Sequence, residues 1–480
     1  MELGGQFDRF FHTMTLKHEN LEPVVGNAFA NCKLNRKVYA EVLTALVENY
    51  SAGFVLAINN KWGTGKTTFI KMWEQDLKDQ GFQTIYFNAW ENDFENSPLT
   101  ALMGELKTLE SKENKKDFIT LLKSASKISK HLAPTLVKAV AERYINIDTL
   151  TQAIVDVTKG MNEIFENDVK EYAEKKDGLK QFKSNLATFI ANTNSDKSII
   201  FIIDELDRCR PDYAISILEQ IKHFFSVPNI VFVLSIDKTQ LGNAVCGVYG
   251  SDKIDSDEYL KRFIDVEYSI PSPSPELFYK YLYSYFKFDD YFETKRKEQR
   301  ELQNDKGNFL NLCEILFNSS EITLRQQEKI FAHARLALRG FGEYSYVVPT
   351  LFLFLVYLKV LRTDLFNKIH EKAISFENLQ KEFFEIVENR ITNDNEREFI
   401  WLEAFLLNSY NIHLNYSIGR NLYKYDNGKN ILLVTSLIDK SFENTVFLSV
   451  LETMRNSEKG ADVNISHLTK KINLTETFQT

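Results

Sequence analysis

One lysine and two hydroxyls behind a pair of glycines are the residues of this chain best suited to phosphate chemistry. They lie in Asn60-Lys61-Trp62-Gly63-Thr64-Gly65-Lys66-Thr67-Thr68, after the apolar run Phe54-Val55-Leu56-Ala57-Ile58 and before the helical run Phe69-Ile70-Lys71-Met72-Trp73. Strand, tight turn and helix start, in that order, aim backbone N–H groups and the positive end of a helix at one anion. The spacing assigns Lys66 to the β- and γ-phosphates of a nucleotide and the Thr67 hydroxyl to Mg²⁺. The candidate nucleotide contacts are Asn60, Trp62, Gly63, Thr64, Gly65, Lys66, Thr67 and Thr68. Asn60 stands where the usual loop has its first glycine, and asparagine is expected there because it tolerates positive φ better than most residues.

A loop of this kind needs an acidic partner, and Ser198-Ile199-Ile200-Phe201-Ile202-Ile203-Asp204-Glu205 provides it. The apolar run suits a strand buried on both faces of a parallel sheet, and open α/β sheets bind ligands beyond the carboxyl ends of their strands. Asp204 is the expected Mg²⁺ ligand opposite Thr67. Glu205, on the other face, is the candidate base for an attacking water. Asp207 either assists the metal shell or pairs with Arg208. Ser235 and Asp237, at the end of another apolar run, either sense the γ-phosphate or cap the next helix. Arg262 and Arg325 are candidates for a positive charge that closes on the γ-phosphate, within one chain or across subunits. The indoles of Trp62 and Trp90 are expected to pack around the loop rather than to stack on a base.

The 480 residues, 44% hydrophobic and 26% charged, fit a soluble globular protein of two or three structural units. A net charge of -8 disfavours a dominant nucleic-acid surface. Cys32, Cys209, Cys246 and Cys313 form no Cys-x-x-Cys pair and are expected as free thiols. No basic leader with an apolar run opens the chain, and a cytoplasmic location is expected. The longest apolar stretch, Tyr346 to Leu358, contains Pro349 and falls short of the roughly 20 residues a bilayer demands, so it is expected to be a buried core helix.

Strands are expected at Phe54–Ile58, Thr84–Ala89, Ser198–Asp204, Ile230–Ile236 and Val266–Ile270, with helices between them, which is the pattern of parallel βαβ units. The interval from about Pro98 to Lys197 is Lys/Glu-rich, almost free of glycine and too long for one crossover, so it reads as an inserted helical subdomain. Lys116, Lys123, Lys127 and Lys130 fall near helical spacing within it; a solvated face is expected, with contact to an acidic partner, lipid headgroup or nucleic acid as the sharper reading. Pro271-Ser272-Pro273-Ser274-Pro275 punctuates the chain before an aromatic-rich, helical remainder. The expected architecture is α/β: a helical lead-in (1–50), a parallel-sheet P-loop NTPase core (51–275, with the insertion at about 98–197) and a mostly α-helical lid and C-terminal domain (276–480).

Six blocks occur in the order found in the KAP family of P-loop NTPases, which this chain resembles. They are Lys61-Trp62-Gly63-Thr64-Gly65-Lys66-Thr67, then Phe87-Asn88-Ala89-Trp90 with Pro98-Leu99, then Asp204-Glu205-Leu206-Asp207-Arg208-Cys209-Arg210-Pro211, where Glu205 replaces an Asp. Ile217-Leu218-Glu219-Gln220-Ile221-Lys222, Val231-Phe232-Val233-Leu234-Ser235-Ile236-Asp237 and Tyr259-Leu260-Lys261-Arg262-Phe263-Ile264 follow. The likeness runs from about residue 30 to about residue 340 and leaves the C-terminal remainder without a motif. It implies an additional-strand P-loop ATPase, using ATP and Mg²⁺, that regulates or assembles a protein partner or copies of itself through its helical regions. Relatives in phage exclusion make anti-phage defence part of that expectation. Many relatives carry transmembrane helices between the two nucleotide motifs, and this chain has no qualifying run there. A nucleotide-gated scaffold that holds ATP with little hydrolysis is the alternative.

Overall fold

Short, β-branched and aromatic segments with no internal Gly or Pro form the central sheet, as their propensities dictate. The computed structural model describes residues 21–50, 53–95, 97–128, 161–193, 196–250, 253–300, 302–317, 322–342, 345–414, 421–426, 428–456 and 465–474. They divide into two units, Asn20–Pro271 and Ser272 onward.

In the first unit the strands are β1 (Phe54–Asn59), β2 (Thr84–Asn88), β3 (Ile199–Asp204), β4 (Ile230–Ile236) and β5 (Val266–Tyr268). They lie in the order β2-β3-β4-β1-β5, and every pairing is parallel. The sheet therefore places β4 between the strand that feeds the phosphate loop and the strand that ends in acid. Cα register aligns Asn88 with Asp204, Asp204 with Ser235, and Ser235 with Ile58. The chemistry-bearing side chains thus share one row at the carboxyl ends of four strands.

Period-2 alternation divides the apolar side chains between two cores. Ile199, Phe201, Ile203, Phe232 and Leu234 face one layer, which includes Phe118, Phe182 and Phe189. Ile200, Ile202, Val231 and Val233 face the other, with Phe69 and Trp73 of helix α2 (Lys66–Asp79) and Leu43 of helix α1 (Lys37–Asn49). Each such side chain contributes roughly 1.5–3 kcal/mol by leaving water, so a two-faced sheet of this kind is rigid at its centre. The same alternation puts Asp204 and Ser235 in phase with Ile202 and Val233, on the α2 side. Helix α1, assigned from sequence to a separate lead-in, packs in this unit, and Trp73 Nε1 donates to Thr44 Oγ1 at 3.0 Å.

The insertion is helical where it is described: α3 (Pro98–Leu106), α4 (Lys115–Ile128) and the long helix Met161–Ala191. Lys116 and Lys123 are exposed on α4, while the Lys127 side chain and Lys130 lie outside the described residues. The second unit is mostly helical, with one antiparallel hairpin, Tyr423–Asp426 with Lys429–Leu432, that the sequence did not reveal. Its helix Pro349–Leu361 buries Leu351 through Leu358, which accounts for the longest apolar run as core. Among the described residues no helix is long and apolar enough to cross a membrane, and all four cysteines are free.

Candidate functional site

Gly63 (φ 78°) and Gly65 (φ 80°) take the left-handed backbone that the turn between β1 and α2 requires, and side chains would strain it. No protein acceptor among the described residues takes the amide N–H groups of Gly63, Thr64, Gly65, Lys66 or Thr67. Five donors at a helix start with no partner are a concave anion site. Thr67 and Thr68 lie half-buried in the first turn of α2.

Asn60 does not work as the sequence suggested. It is absent from the positive-φ residues, so it does not stand in for a glycine's freedom. Its side chain instead clasps a neighbouring segment: Nδ2 donates to Ile270 O at 2.8 Å, and Oδ1 accepts from Ile270 N at 2.9 Å. Restoring the usual glycine, Asn60→Gly, removes both bonds and loosens the backbone. We expect a loss of about 2–3 kcal/mol, read as a lower urea midpoint. An unchanged midpoint would remove the clasp from the account.

Lys66 is buried, and its ammonium lies back on the loop, bonded to Asn60 O and, at 3.3 Å, to Lys61 O. Burial pulls its pKa below the ordinary lysine value, while Asp207, Asp237 and Asp204 oppose the shift. The ammonium therefore feels three carboxylates while resting on loop carbonyls that a phosphate can replace as its partner.

Asp204 is fully buried at the end of β3. Its Oδ1 accepts from Glu205 N at 3.0 Å and its Oδ2 from the Tyr86 hydroxyl at 2.9 Å. Each carboxylate oxygen keeps a second lone pair. Burial, reinforced by Asp204, pushes the Tyr86 phenol far above its ordinary value, so it stays a donor. Glu205 is held in the left-handed region (φ 61°), which turns the chain sharply off the strand. Its carboxylate pairs with Arg208 Nη1 at 2.5 Å and accepts from Asn88 Nδ2 at 3.3 Å. Burial raises its pKa, against the pull of Arg208.

Of the two roles weighed for Asp207, an ion pair with Arg208 is not what forms: Arg208 goes to Glu205, and Asp207 accepts from the Trp62 indole N–H. Burial raises the Asp207 pKa, with that indole bond and Lys66 opposing. Trp62 and Trp90 are not packed away either; they are 41% and 53% exposed, and Arg208 lies over the Trp90 ring at 5.6 Å. Both indoles thus keep exposed surface, and of the two only Trp62 belongs to the loop itself. The two readings of the β4 terminus also separate. Asp237 caps the next helix, accepting from Gln240 N at 3.4 Å, and also accepts from Trp62 N at 3.1 Å. Ser235 caps nothing; its hydroxyl is completely buried, finds no partner, and sits in the row with Asp204.

The two candidate arginines belong to different units, Arg262 to the first and Arg325 to the second. Arg262 is exposed, with its guanidinium 5.8 Å from the centre of the Tyr259 ring, beside a hollow of about 300 Å³ shared with Tyr249 and Glu258. Arg325 is exposed in the first turn of Leu324–Leu338, a helix of the second unit whose Thr323 and Gln326 form a capping box. Sequence reasoning missed Tyr86, Asn88 as a Glu205 partner, and Arg36, whose guanidinium donates to Thr64 O at 2.8 Å and Gly65 O at 3.2 Å.

Oxygen donors from one buried carboxylate and one hydroxyl suit Mg²⁺, which leaves its other positions to phosphates and water. Comparison with known proteins agrees with that chemistry. A family model described as the KAP family P-loop domain matches residues 36–390, a span that enters both units. A search of curated proteins returned no match. Among solved structures, the Aeropyrum pernix ORC2 protein in ADPNP–ADP complexes is similar at 13% identity and a TM-score of 0.35, over 92% of this chain and 98% of that one. Drosophila ORC bound to DNA is similar at 15% identity and a TM-score of 0.27, over 92% and 86% of the two chains. At those TM-scores neither likeness says anything about this chain's site.

Proposed function

The chain belongs to the KAP family of P-loop NTPases, and from that premise we propose that it binds ATP with Mg²⁺ and hydrolyses it as a regulatory or assembly switch. One observation carries the proposal: unpartnered loop amides, Lys66, buried Asp204 and the orphaned Ser235 hydroxyl converge at the carboxyl ends of β1, β3 and β4. The amides and Lys66 bind the phosphates. Thr67 and Asp204 would hold Mg²⁺, which when bound would supply charge neutralisation at the transferred group. Ser235 donates to the γ-phosphate, Glu205 takes the proton of the attacking water, and Asp207 stands beside both Lys66 and Trp62. Trp62, Thr64 and Thr68 line the remaining rim.

Glu205 is engaged by Arg208 and Asn88, and Lys66 by loop carbonyls, which favours a second reading in which hydrolysis is slow and ATP binding itself is the signal. Phosphate release by the purified protein, with and without DNA, RNA and lipid vesicles, tests both. We expect Mg²⁺-dependent release; ATP binding without release leaves the scaffold, and no binding at all sinks both readings. Partners are expected to be proteins or further copies of the chain, in the cytoplasm. Anti-phage defence rests on the family resemblance alone.

Exposed arginines are suited to closing on a nucleotide late, when charge develops in the transition state. Arg262→Ala or Arg325→Ala is expected to lower kcat at least about tenfold while ATP affinity changes little. Recovery of activity on mixing either variant with Lys66→Ala places that arginine across a subunit interface. Unchanged kcat in both variants removes them from the mechanism.

A further inference from the structure

Arg36 stands just ahead of α1, 29 positions before Gly65, and the residue is only 4% exposed. Among the described residues no carboxylate pairs with it, and its Nε has no hydrogen-bond partner. Burial pulls the guanidinium below its ordinary pKa, yet an arginine keeps its charge in any protein environment. A buried cation without an anion is expensive unless something compensates it. What Arg36 has in place of a carboxylate is the phosphate loop, at the carbonyls of Thr64 and Gly65.

Those two bonds have a geometric consequence. A trans peptide is planar, with C=O and N–H pointing in opposite directions. Holding the Thr64 carbonyl toward the guanidinium turns the Gly65 N–H away from it, and holding the Gly65 carbonyl does the same for the Lys66 N–H. These are two of the amides that donate to no protein acceptor.

We infer that Arg36 is a positioning residue of the nucleotide site: it orients the Gly65 and Lys66 amides toward the polyphosphate and adds a fixed positive charge behind them. The inference rests on the nucleotide reading above. It also makes α1 part of the site, since the helix that Arg36 precedes is tied to α2 again through Thr44 and Trp73. Glycine at position 65 gives the loop its turn but no stiffness, and the guanidinium supplies the stiffness from outside the loop.

The test uses the full chain and three proteins: parent, Arg36→Gln and Arg36→Lys, with ATP and inorganic tripolyphosphate as probes. Gln keeps one donor and loses the charge; Lys keeps the charge and loses the fork that spans two carbonyls. Arg36→Gln is expected to weaken both probes about tenfold or more, and by a similar factor, because only the phosphate cradle is disturbed. Arg36→Lys should fall between it and the parent. A residue that merely props the fold would instead lower the melting temperature equally with and without ATP and leave affinity unchanged, which overturns the inference. Should Arg36→Gln fail to fold, Arg36→Lys decides alone: at least a threefold loss of ATP affinity supports the role, and affinity within twofold of the parent ends it. If the parent itself binds neither probe, the nucleotide reading has failed rather than this one.

Discussion

Lys66→Ala is expected to abolish measurable ATP binding, a loss of at least about 100-fold in affinity, or some 3 kcal/mol. Two effects add. The substitution removes the one lysine ammonium positioned among the loop carbonyls, and charge-assisted contacts to phosphate are the strong ones. It also leaves Asp204, Asp207 and Asp237 without the cation that faces them, so the emptied site repels the incoming polyphosphate. Equilibrium titration with a fluorescent ATP analogue reads the result. Affinity within twofold of the parent sinks the assignment of the loop, because no other residue described here could supply that charge at the same point.

Glu205→Gln is expected to do the opposite: to keep ATP and Mg²⁺ and to lower turnover at least about 100-fold. The amide has the shape of the carboxylate and can still meet Asn88, but it cannot take a proton, and its ion pair with Arg208 is gone. Single-turnover release of phosphate, beside a binding titration on the same preparation, separates the two steps. Parental turnover would pass the role of base to Asp207, the other carboxylate of that turn.

β1, β3 and β4 were legible in the sequence because each is a short apolar run long enough to cross a sheet, whereas β5 is only Val266–Tyr268 and largely exposed; Asp204 was legible because an acid ending such a run has few structural uses. Lys66 and Thr67 declared themselves by spacing alone. The contacts that tune these groups were not. Tyr86 reaches Asp204 across 118 positions, Trp62 reaches Asp207 across 145 and Asn60 reaches Ile270 across 210; each neighbour is made by strand order, which no local pattern encodes. Arg36 was missed for a related reason: an arginine ahead of an amphipathic helix looks solvated until the loop it supports is folded beside it. In the second unit the strand signals at Tyr423–Asp426 and Lys429–Leu432 are only four residues long and mostly polar, too short to separate from a loop.

Both hydrogen-bonding edges of β1 are filled by strands encoded far downstream: β4 begins at Ile230 and β5 at Val266. During synthesis the nascent chain must therefore carry an apolar, unpaired strand while the whole helical insertion is being made. At ribosomal rates of about 5–20 residues per second that interval lasts roughly 10–30 s. The row of Asp204, Ser235 and Lys66 needs β4 between its neighbours, so on the proposed reading ATP is not expected to assist these early stages. Helices α1 and α2, both complete by Asp79, share a core with one face of β1 and are therefore the elements expected to shield that face until its partners arrive.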